Sequence, residues 1–295
     1  MIWRMTAAAV AHVVVSGLAT GSIYALVALS LVIVYNATRT VNFAQGEMFM
    51  VSTFVAWSVA RAGAPLGVAL VVAVVSAAAL GFVIERLVIR RAIAATHWDV
   101  LIITLGVSLV LKAGAGIVWT NDEFPFPSYF GDRPLAIGAV RVAPVSLGIV
   151  GASLVLMAAL YALLRFTRLG RAMRAVAQNQ TAASLMGISV PRVFSAAWML
   201  AAVVGAVAGV LIAPVVFLST KMGGIVINGF IAAVLGGFGS MPGAILGGML
   251  LGVLENLAPL YLPTGIRYSV PFLVLIAILL LRPSGLVGRV ERRKV

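Results

Sequence analysis

The sequence predicts an all-α fold, a polytopic bundle of membrane-crossing helices, and three observations carry that prediction. Of the 295 residues, 62% are hydrophobic and only 10% charged, whereas soluble chains are roughly half apolar and a quarter charged. Apolar runs close to the ~20 residues needed to cross a ~30 Å hydrocarbon core recur along nearly the whole chain, leaving little sequence for a separate soluble domain. The polar interruptions are short and mostly basic, so the formal charge of +13 is spread over loops and does not gather on one nucleic-acid-binding face. The expected organisation is a single membrane domain over residues 1–295, with about nine spans that include short or broken helices.

The first run, 10–35, starts like a signal-peptide core, with Arg4 ahead of the apolar stretch 7–18. It continues to Tyr35, which fits an uncleaved first span. Further runs lie at 48–60, 64–85, 100–118, 145–164, 192–213, 226–239, 243–257 and 268–282. At 1.5 Å per residue, the runs 48–60, 226–239 and 243–257 are too short for a full crossing and are expected to be broken, tilted or re-entrant. Basic residues cluster in three places: Arg86, Arg90 and Arg91; Arg165, Arg168, Arg171, Arg174 and Arg192; and a tail with Arg282, Arg289, Arg292, Arg293 and Lys294. The positive-inside bias puts all three in the cytoplasm. The loop 119–144 holds Asn121, Asp122, Glu123 and Asp132 against Arg133 and Arg141, and belongs outside. Parity then gives a cytoplasmic C-terminus and an external N-terminus.

Several kinds of chemistry are excluded. Without cysteine there is no disulfide, thiolate metal site or cysteine nucleophile. His12 and His97 have no partner at ligand spacing, so no metal site is expected. No nucleophile stands with a base, so no catalytic residue is assigned and the chain does not read as an enzyme. The chain carries no G-x-x-x-x-G-K-[ST] phosphate loop, so any ATP-driven motor is another subunit. Lys112 and Glu255 fall near the ends of their runs, where long side chains reach the interface.

Glycines recur at four-residue spacing in Gly17/Gly21, Gly205/Gly209, Gly239/Gly243/Gly247 and Gly248/Gly252. That spacing puts small residues on one helix face and lets backbones approach, which argues for a tight bundle. The segment 38–47, TRTVNFAQGE, interrupts two apolar runs with Arg39, Asn42, Gln45 and Glu47. Two readings fit it: a cytoplasmic turn, or polar groups lining a water-filled path. A second interruption, 214–243, contains Lys221, Asn228, Gly236, Gly237 and Gly239. Discontinuous helices there would expose N–H and C=O groups to the carboxylate or amine of a small solute, although kinking and packing explain the same residues.

The longest cytoplasmic interruption is 165–191. Good helix formers fill 171–186, Gly187 suits a C-cap, and Pro191 delays the next span. A basic surface helix results, with arginines at 168, 171 and 174. It would rest on anionic headgroups or dock on a cytoplasmic partner.

Four stretches carry a family resemblance: GLATGSIYALVALSLVIVYNATRTVNFAQGEMFM at 17–50, GRAMRAVAQNQTAASLMGI at 170–188, GFIAAVLGGFGSMPGAILGGMLLGVLEN at 229–256, and RPSGLVG at 282–288. In that order, over nearly the full length, they resemble the permease subunits of ATP-binding-cassette importers for branched-chain amino acids, the LivH-like type. The resemblance implies a bacterial inner-membrane, multi-pass permease that carries leucine, isoleucine, valine or a related amino acid. Urea or short amides are the next cargo in the same family, and an ion-coupled secondary transporter is the rival of another class. The implied partners are a second homologous permease, two cytoplasmic ATPases that bind the ATP and Mg, and a periplasmic or lipid-anchored solute-binding protein. No cofactor of its own and no nucleic acid are implied, and membrane lipid surrounds the chain. The family's ATPase-contacting loop falls on Arg168, Arg171, Arg174, Gln178, Asn179 and Gly187. Its N-F-A-H-G-E-like segment falls on Asn42, Phe43, Gln45, Gly46 and Glu47, with Gln45 where histidine is common. With Asn228, Gly236, Gly237 and Gly239, these residues form the expected solute pathway.

Overall fold

Each apolar run found in the sequence is helical in the computed structural model, which describes residues 7–92, 97–131, 133–137, 140–263 and 268–288. The basic tail residues Arg289, Arg292, Arg293 and Lys294, together with Arg4 and Asp132, lie outside the described residues. The helices are α1 Ala7–Thr38, α2 Gln45–Arg61, α3 Leu66–Leu87, α4 His97–Trp119, α5 Pro144–Phe166, α6 Arg168–Gln178, α7 Gln180–Leu185, α8 Val190–Val216, α9 Ile225–Gly236, α10 Met241–Tyr261 and α11 Val270–Leu281. Two three-residue strands, β1 Leu135–Ile137 and β2 Val140–Val142, pair antiparallel in the loop before α5. Among the described residues six helices, namely α1, α3, α4, α5, α8 and α10, are long and apolar enough to cross a membrane. Together they make the chain a multi-pass membrane protein.

Two lengths differ from expectation. The run at 243–257 is a full-length helix of 21 residues. Glu255 and Asn256 do not end it, because Glu255 has a buried partner and the Asn256 amide donates to the Gly252 carbonyl at 2.9 Å. The last helix is short instead, 12 residues from Val270, the same length as α9, with a proline in its first turn. The surface helix expected over 171–186 is two helices. Asn179 breaks them with an extended backbone (φ −158°, ψ 109°), and its side chain caps α7 by accepting from the Ala182 N–H at 2.9 Å.

The chain folds into two compact units that alternate along the sequence. The first comprises Met1–Ala28, Ser128–Leu154 and Ile227–Val295. In it the glycine spacings become helix crossings. A methyl group on Gly21 would lie 2.8 Å from the Gly248 carbonyl oxygen, and one on Gly17 would lie 2.9 Å from Val253 Cα. Rising residue numbers on α1 therefore meet falling numbers on α10, and the two run antiparallel at backbone contact. Helices α9 and α10 form a second antiparallel pair, joined by a turn through Gly237 at φ +105°, a left-handed backbone that glycine adopts without strain. The RPSGLVG segment closes on that turn. Leu286 N–H donates to the Leu235 carbonyl at 2.9 Å and Val287 N–H to the Gly236 carbonyl at 3.0 Å, satisfying C-terminal carbonyls that α9 cannot satisfy itself.

The second unit comprises Leu29–Pro127 and Val155–Val226, and α2 lies inside it against α3, α4 and α8. Its residues 45, 49 and 53 pass one turn at a time along residues 201, 205 and 209 of α8. The Gln45 amide donates to the Ala201 carbonyl at 2.8 Å, and methyl groups on Gly205 and Gly209 would strike Gln45, Phe49 and Thr53. These helices are parallel. So are α2 and α4: Phe43 N–H donates to Thr104 Oγ1 at 3.3 Å at one end, while Trp119 Nε1–H donates to Ser58 Oγ at 2.8 Å and stacks on Phe54 at the other. Within this unit, the 38–44 turn, the arginines after α3 and the start of α8 share one end. The 120–127 loop occupies the opposite end.

Candidate functional site

The TRTVNFAQGE turn is buried polar structure at the foot of α2. Asn42 and Gln45 are fully buried. The Asn42 amide donates to Gln45 Oε1 at 3.1 Å, its carbonyl oxygen accepts from Ala44 N–H at 3.0 Å, and Gln45 reaches Ala201 as above. These groups hold α2 to α8 and satisfy one another, as burial in an apolar bundle requires. Phe43 is half-buried above Thr104. At Gly46 a side chain would collide with the Gly223 carbonyl, so the glycine lets that backbone reach the foot of α2.

Glu47 follows in the first turn of α2 and is only 8% exposed. Ser108 of α4 hydrogen-bonds its carboxylate, and Lys112 of α4 is near enough to act on it electrostatically. Its Oε2 atom is buried and has no hydrogen-bond partner. Gly223 lies against the other oxygen: a methyl group there would sit 2.8 Å from Glu47 Oε1.

Gly223 arrives by a re-entrant path. After α8 ends at Val216, Leu218 exchanges two backbone hydrogen bonds, 2.8 and 2.9 Å, with Phe124 of the 120–127 loop. Thr220 Oγ1 donates to Asn121 Oδ1 at 3.0 Å and Lys221 stands 3.7 Å from Glu123. From there the chain passes through the 3-10 turn Met222–Gly224 to the foot of α2, and α9 begins at Ile225. Non-helical backbone at this depth persists only where protein buries it or a polar cavity borders it. Beside this path an open cavity of about 410 Å³ is lined by Leu109, Lys112, Ala113, Gly116, Ile117 and Asn121. Lys112 is exposed about two turns inside α4, not at its end.

The other expected pathway residues are dispersed. Asn228, half-buried near the start of α9, donates to the Tyr24 hydroxyl at 2.8 Å, and that hydroxyl donates to Glu255 Oε2 at 2.7 Å. Glu255 is 6% exposed, so its carboxylate is held inside the first unit and does not extend to an interface. Gly236, Gly237 and Gly239 lie at the other end of α9, where Gly243 and the 282–288 segment crowd the first two.

The expected docking residues gather on one surface of the second unit. Helix α6 buries Gly170, Met173 and Val176 and exposes Arg168, Arg171, Arg174 and Gln178. Arg174 binds the carbonyls of Leu164 and Arg165 at the end of α5. Arg171 is exposed, as are Asn179 and Gly187, the latter at φ +82° ending α7, and Leu185 and Met186 beside it are each 83% exposed. One contact ties this surface to the turn before α2: Arg39 donates to the Ala177 carbonyl at 3.0 Å. At the start of α8, which follows the surface in the chain, Arg90 donates to the Pro191 carbonyl at 3.2 Å. Arg90 also pairs with Glu85, which is fully buried, through Nε to Oε1 at 3.1 Å and Nη2 to Oε2 at 2.7 Å, while Ser195 bonds both partners.

Ser108, Glu85 and Ser195 were missed in the sequence. A single acid at the end of an apolar run, followed by arginines, is the signal that singles out Glu85. Ser108 has no such mark and emerges only from the pairing of α2 with α4.

The sequence matches the family described as the branched-chain amino acid transport system permease component over residues 13–279. It is 33% identical over 296 residues to the high-affinity branched-chain amino acid transport system permease protein LivH of Escherichia coli (strain K12), covering 95% of this chain and 96% of that protein. It is 31% identical over 298 residues to BraD of Pseudomonas aeruginosa, a permease of the same description, with the same coverage of each chain. A probable LivH from Methanocaldococcus jannaschii is 28% identical over 289 residues, covering 89% of this chain and 88% of that protein. No solved structure matches.

Proposed function

Because the chain belongs to the branched-chain amino acid transport permease family, we propose that it is one of two homologous permease subunits that pass leucine, isoleucine, valine or a related amino acid by alternating access. It is a transport subunit and not an enzyme. In this reading two cytoplasmic ATPases bind ATP and Mg and supply the work, and a periplasmic or lipid-anchored binding protein delivers the solute to the outer face. The C-terminus is cytoplasmic.

The observation that carries the mechanism is the α6–α7 surface. It presents Arg168, Arg171, Gln178, Asn179 and Gly187 beside bare Leu185 and Met186, it is bonded to the foot of α2 through Arg39, and it packs on α8, whose start Arg90 bonds to the end of α3. A helix lying on lipid headgroups needs no such ties, whereas one that receives a push from an ATPase does. The pathway in this reading runs past the re-entrant segment and the foot of α2, with Asn42, Phe43, Gln45, Gly46 and Glu47 on its border. Asn228 and the Gly236, Gly237 and Gly239 turn shape the half-helix α9 that follows the re-entrant segment in the chain.

The test is uptake of radiolabelled leucine into proteoliposomes holding the complete complex. Arg171→Glu and Gly187→Val are each expected to leave assembly and membrane insertion intact, and to cut uptake at least tenfold while ATP hydrolysis continues. Unchanged uptake in both variants removes the docking role. Uptake by this chain alone, driven by an ion gradient and indifferent to ATP, would favour the secondary-transporter class.

A further inference from the structure

We infer that Glu47, Ser108 and Lys112 form a station for the charged head group of a zwitterionic solute: the free Glu47 oxygen receives the ammonium and Lys112 the carboxylate. The inference rests on the pathway reading above and assigns a chemistry to one place along it.

A carboxylate in the interior of an apolar bundle is costly unless it is paired or hydrogen-bonded. The neighbouring buried groups of the same turn obey that rule, since Asn42 and Gln45 are bonded. Glu47 does so by half: Ser108 hydrogen-bonds the carboxylate, while Oε2 is buried with no partner. That atom is a hydrogen-bond acceptor held ready, with a local demand for a cation.

Lys112 supplies the opposite charge without closing the site. Parallel packing of α2 and α4, fixed by Phe43–Thr104 and Trp119–Ser58, brings Ser108 level with Glu47 and puts Lys112 one turn further toward the 120–127 loop. The lysine lines the open cavity with Leu109, Ala113, Gly116, Ile117 and Asn121. A solute entering from the loop end meets the Lys112 ammonium beside the aliphatic surface of Leu109 and Ile117, and the Glu47 carboxylate lies one turn deeper, behind the cavity wall. An α-amino acid presents the complementary pair of charges on one carbon and an apolar side chain to the wall. A neutral amide presents neither charge, so this arrangement favours zwitterions.

A structural ion pair would use the same two residues, and the double neutral variant separates the possibilities. Four variants, Glu47→Gln, Lys112→Met, Lys112→Arg and Glu47→Gln/Lys112→Met, are reconstituted in the complete complex. Leucine uptake, ATP hydrolysis stimulated by the loaded binding protein, and melting temperature are then measured. Uptake per ATP is expected to fall at least tenfold in both neutral single variants and to stay low in the double variant, with stimulation retained. Lys112→Arg, which keeps the charge, is expected to retain at least a third of wild-type uptake. Wild-type uptake in the double variant overturns the station, because two neutral residues then suffice. So does wild-type uptake in Lys112→Met alone, an exposed position where folding is not at stake. Gly223→Val separates this inference from the pathway reading. If it abolishes uptake while the neutral variants transport normally, the pathway stands without the station. If it too transports normally, the pathway reading has failed.

Discussion

A polar atom inside an apolar bundle is costly without a partner, and most such atoms among the described residues have one. Tyr24 illustrates the rule: its hydroxyl donates to Glu255 and accepts from Asn228, joining α1, α10 and α9 of one unit through a single oxygen. Tyr24→Phe keeps the ring, deprives Glu255 of a donor and frees the Asn228 amide. Its expected cost is about 1–3 kcal/mol, the usual penalty for stranding a buried polar group. Thermal unfolding in detergent measures it, with Tyr161→Phe, at a tyrosine 54% exposed, as the control expected to change nothing. Sequence reading singled out Glu255 and Asn228 and misjudged the first. Glu255 looked like a residue at a span end because its partner, Tyr24, is remote in the chain. Asn42, Gln45 and Glu47 were legible as a polar break, but their neighbours Ala201, Ser108 and Gly223 were not, because periodicity does not bring them together.

Elements were the most legible level, because a run of apolar residues fixes a helix wherever it is buried. The interruptions needed geometry. The single helix expected over 171–186 is split at Asn179, whose short polar side chain gains more by capping α7 than by staying helical. Connections between elements were not legible, and the Glu85–Arg90–Ser195 cluster is the strongest example. It joins the end of α3, the arginine turn and the first turns of α8, directly after the α6–α7 surface. Removing one member of a buried pair strands the other charge, so Arg90→Ala should lose roughly 3–5 kcal/mol of stability. Replacing both, as Glu85→Leu/Arg90→Met, should recover most of that loss, since apolar groups of similar volume avoid the desolvation cost. Melting temperatures of the two variants decide it: equal losses would mean that packing, not stranded charge, sets the value of the cluster.

At the scale of the whole molecule, the distribution of charge and the fold of the second unit point the same way. The arginines after α3, Arg39 and the α6–α7 surface lie toward one end of that unit. The loop carrying Asp122 and Glu123 lies at the other, tied there by Trp57 to the Pro125 carbonyl and by Phe124 to Leu218. Sequence parity anticipated that polarity. It did not anticipate that the chain divides into two interleaved units, because each is assembled from segments distant in sequence. The polarity gives an orientation that can be measured directly. The natural chain has no cysteine, so each cysteine introduced singly is a unique probe. Asp122→Cys, Gln180→Cys and Arg282→Cys replace exposed residues in the acidic loop, the α6–α7 surface and the segment after α11. In intact spheroplasts a membrane-impermeant maleimide is expected to label position 122 alone. After permeabilisation it should label all three. Labelling of 180 from outside would invert the α6–α7 surface, placing it out of reach of any cytoplasmic ATPase and removing the docking role. Labelling of 282 alone would instead relocate the C-terminus and require one helix among α9 to α11 to cross differently from what charge parity dictates.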